Sequence, residues 1–204
     1  MTDLERLSAE ELLGEALDRH HPRLVTACSF QKEDSVVIDM LMRLEPSSRV
    51  FMIDTGVLFS ETYQMHREVE RSYGISVEVV AARASDGTRW ASDRCCGAAK
   101  VAALDEALAD VDAWVTGIRR EQSPFRGDTR KAQFDPKRSV WKYNPLADWS
   151  EEDVWAYIRR HSVPYHPLHD RGYGSIGCEP CTQQGAGREG RWAGQDRSEC
   201  GLHL

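Results

Sequence analysis

The 204-residue chain has no apolar run approaching the roughly 18 to 20 residues that a membrane span requires, which argues against a transmembrane protein. Its first residues, Met1-Thr-Asp-Leu-Glu, lack the basic-then-apolar pattern of an export signal, so the expected location is the cytoplasm. Positive charge is in deficit. The 26 Lys and Arg face 33 Asp and Glu, a formal net charge of -7, which disfavours a general nucleic-acid or polyanion binder. Any anionic substrate must therefore be met by a local cluster of cations. Internal repeats and low-complexity runs are absent. Beyond Cys181 aliphatic residues are almost absent until Leu202, while Gly185, Gly187, Gly190 and Gly194 recur, so this stretch is expected to be mobile without a ligand. A single domain over 1–204 is expected, with 182–204 as a mobile catalytic tail within it.

Six cysteines in a reducing compartment point to metal binding or catalysis more than to a disulfide framework. Cys95 and Cys96 are adjacent, about 3.8 Å apart at Cα, whereas a disulfide spans roughly 4.4 to 6.8 Å, so a bond between them would be strained. With Cys178-Glu-Pro-Cys181 they make two close pairs, four thiolates that zinc or an iron-sulfur cluster could both use. Directly adjacent ligands are unusual for zinc and suit a cluster in which each cysteine takes its own iron. Cys28 closes an apolar segment and reads as a small core residue without chemistry. Cys200, in Ser198-Glu-Cys-Gly-Leu-His203, reads as an exposed thiol that basic neighbours would favour as the attacking thiolate.

Hydrophobic periodicity predicts alternating strands and helices. Ser8-Ala-Glu-Glu11 is a capping box ahead of Leu12, Leu13, Ala16 and Leu17, which return at helical spacing. Leu24–Cys28 reads as a buried strand, Ser29–Ser35 as a polar turn and Val36–Leu44 as a helix. Val50–Ile53 is the next strand, Asp54-Thr-Gly56 its turn, Ser60 the cap of a helix over Glu61–Tyr73 closed by Gly74, and Val77–Ala81 a third strand. A helix is expected over Ala98–Ala109 and a strand over Ala113–Thr116 ending at Gly117. Arg119–Arg138 reads as a long polar loop or lid, Trp141–Tyr143 as a strand, and Ser150 as the cap of a helix ending at His161. The pattern implies an α/β fold, a parallel twisted sheet with helices on both faces. Ligands bind such sheets outside the carboxyl ends of the strands, so the loops starting at Ser29, Asp54 and Gly117 form the candidate pocket wall. Trp114, Trp149 and Trp155 sit in periodic segments as core residues, whereas Trp192 lies in the tail, where it can cover a closed site.

The loop Ser29-Phe-Gln-Lys-Glu-Asp-Ser35 follows a strand and opens a helix, where backbone N–H groups and the helix dipole favour a phosphate or sulfate. It resembles the pyrophosphate-binding loop Ser-Gly-Gly-x-Asp-Ser of the ATP pyrophosphatase superfamily. Phe30 and Gln31 stand where that loop has paired glycines, which suggests a ligand with less phosphate there than ATP. Further motifs are Ile53-Asp-Thr-Gly56, Cys95-Cys96 with Lys100, Thr116-Gly-Ile-Arg-Arg-Glu-Gln-Ser123, Asn144-Pro-Leu146, Gly172-Tyr-Gly-Ser-Ile-Gly-Cys178, Gly187-Arg-Glu-Gly-Arg-Trp192 and Glu199-Cys-Gly-Leu-His203. With them the chain resembles, over nearly its whole length, the assimilatory sulfonucleotide reductases (the PAPS reductase family), specifically their iron-sulfur adenylyl-sulfate (APS) reductases.

The resemblance implies an adenine nucleotide alpha hydrolase-like fold, related to the ATP pyrophosphatases, with a flexible C-terminal tail. It implies reduction of adenylyl sulfate to sulfite and AMP in assimilatory sulfate reduction, with thioredoxin (or glutaredoxin) as electron donor. A 4Fe-4S cluster would sit on Cys95, Cys96, Cys178 and Cys181. Cys200 would attack the sulfur and expel AMP, leaving a cysteine S-sulfonate that a thioredoxin thiolate cleaves. Lys100 and His203 join Cys200 in the catalytic set, and Arg126, Arg188 and Arg191 supply substrate-binding cations. Lys100, one helical turn beyond Cys96, would carry an electrostatic link between cluster and substrate. Ser29, Phe30, Asp54, Thr55, Gly56 and Gly117 would line the adenosine and phosphate pocket, although Asp54 also reads as a turn cap.

The chain departs from the family pattern at Ala99, where an Arg commonly precedes the lysine, and is shorter after Gln183 and around Gln195. Three competing readings remain. One is a reductase of 3'-phosphoadenylyl sulfate (PAPS) or a dual-substrate enzyme; the second is an ATP pyrophosphatase-type adenylating sulfur transferase. The third is a non-catalytic cluster or zinc protein acting as a redox sensor. The paired cysteines oppose a reductase specific for the 3'-phosphorylated nucleotide, and the missing glycine pair opposes the transferase. No nucleic-acid or membrane partner is expected, and a homo-oligomer stays open.

Overall fold

The computed structural model describes residues 3–83, 97–193 and 199. Helix α1 (Ala9–His20) is opened by Ser8, whose hydroxyl accepts the Glu11 N–H at 3.3 Å while the Glu11 carboxylate accepts the Ser8 N–H at 2.8 Å. Strand β1 (Leu24–Cys28) leads into helix α2 (Lys32–Leu44). That helix starts at Lys32 and not at Val36, so most of the expected polar turn is its first turn. Glu33 and Asp34 there suit the positive end of the helix dipole. Strand β2 (Arg49–Asp54), helix α3 (Ser60–Tyr73) and strand β3 (Val77–Ala81) repeat the unit. Ser60 is the first residue of α3 and not its cap; Phe59 occupies the cap position with no side-chain hydrogen bond, and Gly74 ends the helix at φ 66°.

Helix α4 (Ala98–Ala107) and strand β4 (Ala113–Val115) come next. The expected long loop over Arg119–Arg138 is only partly loop. It contains two short 3-10 turns, Arg120–Gln122 and Pro124–Arg126, and a strand β5 (Ala132–Asp135) paired antiparallel with β6 (Val140–Tyr143). Ala132-Gln-Phe-Asp135 alternates apolar and polar residues over only four positions, and Gln133 and Phe134 are both exposed, so this edge strand buries no apolar face. Helix α5 (Glu151–His161) is capped by Ser150, with the Asp153 carboxylate accepting the Ser150 N–H at 2.8 Å.

The strands form one sheet in the order β3-β2-β1-β4-β6-β5, parallel at every pairing except β5 with β6. Alternate residues face opposite sides. Val25, Phe51 and Trp114 pack with Ala103 and Leu104 of α4, whereas Leu24, Val50, Met52 and Val115 pack with Leu13, Val37, Leu41 and Ile158 of α1, α2 and α5. Helices therefore cover both faces, and each fully buried Leu or Phe contributes ~1.5–3 kcal/mol. Helix α2 is buried from Lys32 to Met42, so its polar groups require internal partners. Asp39 accepts from the Tyr157 hydroxyl at 2.8 Å, the Tyr73 hydroxyl at 3.1 Å and Arg43 Nε at 2.7 Å. No described helix is long and apolar enough to cross a membrane.

The turn Pro167–Arg171 is closed at its start by the buried His166. The Leu168 N–H donates to His166 Nδ1 at 3.3 Å, which leaves the proton of the neutral ring on Nε2, 3.0 Å from Thr62 Oγ1. Burial, reinforced by His169, pushes the His166 pKa down to about 4 from an ordinary value of 6.5, with Glu61 opposing. Between those values the unfolded chain binds more protons than the folded one, so the stability His166 contributes is present above pH 6.5 and lost as pH falls towards 4. His166→Gln should flatten the acid limb of the stability profile, removing a slope of up to ~1.4 kcal/mol per pH unit. Urea titrations at pH 6.5, 5.5 and 4.5 measure this slope; an identical slope in the variant would show that His166 does not titrate as the geometry requires.

Candidate active site

The chain builds outward from β1 through β2 to β3, then returns to lay β4 on the other side of β1. At such a reversal the loops leaving the two central strands run apart and open a crevice at their carboxyl ends. A cleft enclosing about 1050 Å³, its mouth included, opens here between Ser29, Phe30 and Gln31 after β1 and Thr116, Gly117 and Ile118 after β4. Phe51, Met52, Leu104 and Trp114 give it apolar walls, and Lys100, Arg126, Arg188 and Arg191 line it with cations.

The two loops are tied to the first turn of α2. Ser29 donates to Asp34 Oδ2 from its N–H at 2.7 Å and its hydroxyl at 2.6 Å, and the Gly117 N–H adds a further bond. Burial raises the Asp34 carboxyl to about 6 against the pull of these donors. A Cβ at Gly117 would lie 2.6 Å from Asp34 Oδ1 and 2.9 Å from Glu33 Cβ, so only glycine permits this approach. Beside it Arg119 reaches Glu33 Oε1 with Nε at 3.1 Å and Nη2 at 2.9 Å, both side chains being buried. Burial alone would raise Glu33, but Lys32 and Arg119 outweigh it and hold the carboxyl below its ordinary value. Lys32 Nζ in turn donates to Gly174 O at 2.9 Å and pairs with Glu151 at 3.3 Å. The sequence reads this segment as a polar, anion-binding turn that opens a helix; nothing in its residue types announces that the charges are buried in pairs.

Phe30 adopts a left-handed backbone, φ 59°, the conformation a glycine fills without strain. Its ring is fully buried and stacks on His66 at 5.6 Å between centroids, a contact that offsets a strain of ~1–3 kcal/mol. Gln31 turns its Oε1 to the Ile176 N–H at 2.8 Å and the Ser175 hydroxyl at 3.0 Å. Cys28 lies below the loop as a core residue, and burial, with Asp34 adding to it, pushes its thiol well up. It therefore stays protonated.

At the cationic side, Arg188 and Arg191 lie over the Trp192 ring at 5.4 and 4.4 Å. A Cβ at Gly177 would overlap the Arg191 guanidinium, whose Nη1 donates to Ile176 O at 3.1 Å and whose buried Nε meets no acceptor among the described residues. Trp192 itself is buried against Cys178 and Cys181, and the Trp192 N–H donates to Cys181 O at 3.0 Å. Glu199 is buried in the same region, paired with Arg126 and Arg188. Sequence reasoning named both arginines and missed this carboxylate, although the terminal motif contains it.

Of the residues singled out from sequence, Ser29, Phe30, Lys100, Gly117, Arg126, Cys178, Arg188 and Arg191 line the cleft together. Asp54, Thr55 and Gly56 do not. Asp54 accepts from the Gly56 N–H at 2.7 Å and the Tyr63 hydroxyl at 2.8 Å, the turn-cap alternative, and the Thr55 hydroxyl lies 3.3 Å from Cys178 Sγ. Lys100 lies in the first turn of α4, which begins only after the extended Gly97, so helical geometry does not relate it to Cys96. Cys95, Cys96, Cys200 and His203 lie outside the described residues. Cys178 and Cys181 are both buried, and among the described residues no third His, Cys, Asp or Glu joins them into a metal site. Two buried thiols packed on Trp192, whose ring carries the Arg191 guanidinium at 4.4 Å, fit half of a thiolate ligand set, because a positive charge in that neighbourhood favours buried thiolates.

Fold and cleft together define a doubly covered α/β nucleotide-binding domain of the adenine nucleotide alpha hydrolase type. A phosphoadenosine phosphosulfate reductase domain matches residues 23–184, and the chain belongs to that family. An adenosine 5'-phosphosulfate reductase of Geobacillus thermodenitrificans is 40% identical, the match covering 100% of this chain and 93% of the relative. A phosphoadenosine 5'-phosphosulfate reductase of Gloeobacter violaceus is also 40% identical, over 98% of this chain and 90% of the relative. Among solved structures, the phosphoadenylyl-sulfate reductase of Candida auris in its phosphate complex superposes with a TM-score of 0.74 at 28% identity, covering 87% of this chain and 91% of that one. FMN adenylyltransferase of Candida glabrata, at 17% identity and a TM-score of 0.66 over 86% of this chain and 63% of that one, shares the fold alone.

Gly117→Ala should destabilise the protein by ~1–3 kcal/mol, because the added methyl meets the Asp34 carboxylate and the α2 backbone. Chemical denaturation measures it. A variant within ~0.5 kcal/mol of wild type would show that the two loops are not held as closely as the structure places them.

Proposed function

We propose that this protein reduces adenylyl sulfate to sulfite and AMP in the cytoplasm, with electrons from thioredoxin or glutaredoxin. The observation that carries the reading is the position of Glu199. It is the covalent neighbour of Cys200, and it is held by Arg126 and Arg188 at the cationic side of the cleft. The thiol-bearing segment therefore reaches the region where a nucleotide's anionic group would be bound.

The adenosine would lie against the apolar walls and the Ser29, Phe30 and Gly117 loops, with its phosphosulfate turned to Lys100, Arg188 and Arg191. The unpartnered Arg191 Nε supports an anion there. The Cys200 thiolate attacks the sulfur, an S–S bond forms, and the S–O bond to the AMP phosphate breaks with its electron pair leaving on the phosphate oxygen. Nearby cations, His203 among them in this reading, stabilise the departing charge. A thioredoxin thiolate then attacks Cys200 Sγ and releases sulfite. The donor's second thiol resolves the mixed disulfide, restoring the Cys200 thiol and leaving the donor oxidised by two electrons. A 4Fe-4S cluster on Cys95, Cys96, Cys178 and Cys181 would supply fixed charge beside the reacting group. Thr55, through its hydrogen-bond contact with Cys178, and the Asp54 turn would then serve the cluster side of the site.

An equally similar relative bears the name of the 3'-phosphorylated nucleotide's reductase, so both nucleotides belong in the assay. Anaerobic sulfite formation from adenylyl sulfate and thioredoxin is the expected activity, with the 3'-phosphorylated nucleotide a poorer competitor. Cys200→Ser should keep nucleotide binding and a brown absorption near about 400 nm, yet release no sulfite. Appreciable sulfite from that variant would sink the mechanism, and ATP hydrolysis without sulfite from wild type would favour an adenylating transferase.

A further inference from the structure

Glu199 is 5% exposed, and its carboxylate is fully engaged. Arg126 meets it with two edges of its fork, Nε to Oε1 at 2.7 Å and Nη2 to Oε2 at 2.9 Å, and Arg188 Nη2 adds a contact to Oε2 at 3.1 Å. Arg126 is itself held. Its Nη1 donates to Gln122 Oε1, which also accepts the Arg119 N–H at 3.1 Å, and Arg119 is fixed to Glu33 of α2. The guanidinium is thus presented by a bonded chain running back to a buried helix. A planar fork engaged at two points sets both the distance and the orientation of its carboxylate.

We infer that Arg126 and Arg188 form a docking site for the protein's own Glu199, which makes Glu199 the positioning residue that seats Cys200 against the substrate's sulfur. Arg126, expected from sequence to bind substrate, then acts on the tail. This rests on the role given to Cys200 above. The peptide bond keeps the Cys200 Cα within ~3.8 Å of that of Glu199, so holding Glu199 tethers the residue that bears the thiol. The substrate anion has its own partner in Arg191, whose Nε meets no acceptor among the described residues, and does not need the Arg126 fork. Lys142 lies near the same cations: burial and then Arg126 push its pKa down to about 8, with Asp135 and, less strongly, Glu199 opposing.

The rival role for the same contact is a plug, in which the carboxylate competes with the substrate for Arg188. The two roles predict opposite kinetics. As a positioning residue, Glu199→Gln in the full-length, cluster-loaded protein should slow single-turnover formation of the Cys200 S-sulfonate on the order of 10- to 100-fold while the KM for adenylyl sulfate moves less than about threefold. Glu199→Asp should recover part of the loss. Arg126→Gln should behave like Glu199→Gln, and the double variant should be no slower than either single one. Independently of any turnover, alkylation of Cys200 by iodoacetamide, followed by peptide mass spectrometry, should be several-fold faster in Glu199→Gln than in wild type. Undiminished S-sulfonate formation, or tighter nucleotide binding by Glu199→Gln, would overturn the inference in favour of the plug. If wild type makes no sulfite, the functional reading fails, and the alkylation rates still decide docking: equal rates reject it.

Discussion

The site depends on the burial of the first turn of α2 with its two acids. Two adjacent carboxylates cannot be taken out of water at a helix start unless every neighbour brings a donor or a cation. Ser29 and Gly117 answer Asp34, and Lys32 and Arg119 answer Glu33. Apart from Lys32, which belongs to α2 itself, those partners come from the loops after β1 and β4, the two loops that diverge at the strand reversal. Satisfying the acids therefore sets the width of the crevice, and Gly117 is the point where that closure leaves no room for a side chain.

The cleft separates charge in a way the whole chain does not. A protein with a formal net charge of -7 gathers Lys100, Arg126, Arg188 and Arg191 along one lining. Two of these arginines rest on Trp192, whose burial against Cys178 and Cys181 joins the anion-binding side to the thiol pair. The tail after Cys181 is built to allow this. A Cβ at Gly190 would lie 2.0 Å from Gln183 O and one at Gly185 2.9 Å from Gly190 N, so these two of the glycines that suggest looseness in sequence are points of close packing, whereas Gly187 has open space around it and a left-handed φ of 49°.

What the sequence revealed followed from residue type and period. β1, β2 and β3 lie within a residue or so of their expected places because buried strands show as apolar runs, and the capping boxes at Ser8 and Ser150 mark α1 and α5. Period failed at the start of α2, where Lys32, Glu33 and Asp34 are polar and yet buried, and at β5, where Phe134 is apolar and yet exposed. The cleft residues were legible as a set through their motifs. Their partners were not, since Arg126 and Glu199 stand 73 positions apart and only the fold brings them together. Thr55 shows the same limit: its motif placed it at a substrate, and its hydroxyl faces Cys178.

The loop after β1 shows how one backbone geometry is put to a different use. Phe30 keeps the left-handed turn that a glycine would make there, but its ring is committed to His66. Gln31 spends its acceptor on Ser175 and Ile176, close to Cys178. A loop that in its glycine-rich form leaves backbone N–H groups open to several phosphates is here filled by side chains that brace the cysteine-bearing segment. The cations of the cleft are side chains, and two of them, Arg188 and Arg191, are carried by that same C-terminal stretch. The positions of Arg188 and Arg191 in the cleft and the placement of the 175–192 segment are thereby made one event: these arginines line the cleft because the chain that bears them is docked, and Gln31 holds part of that dock.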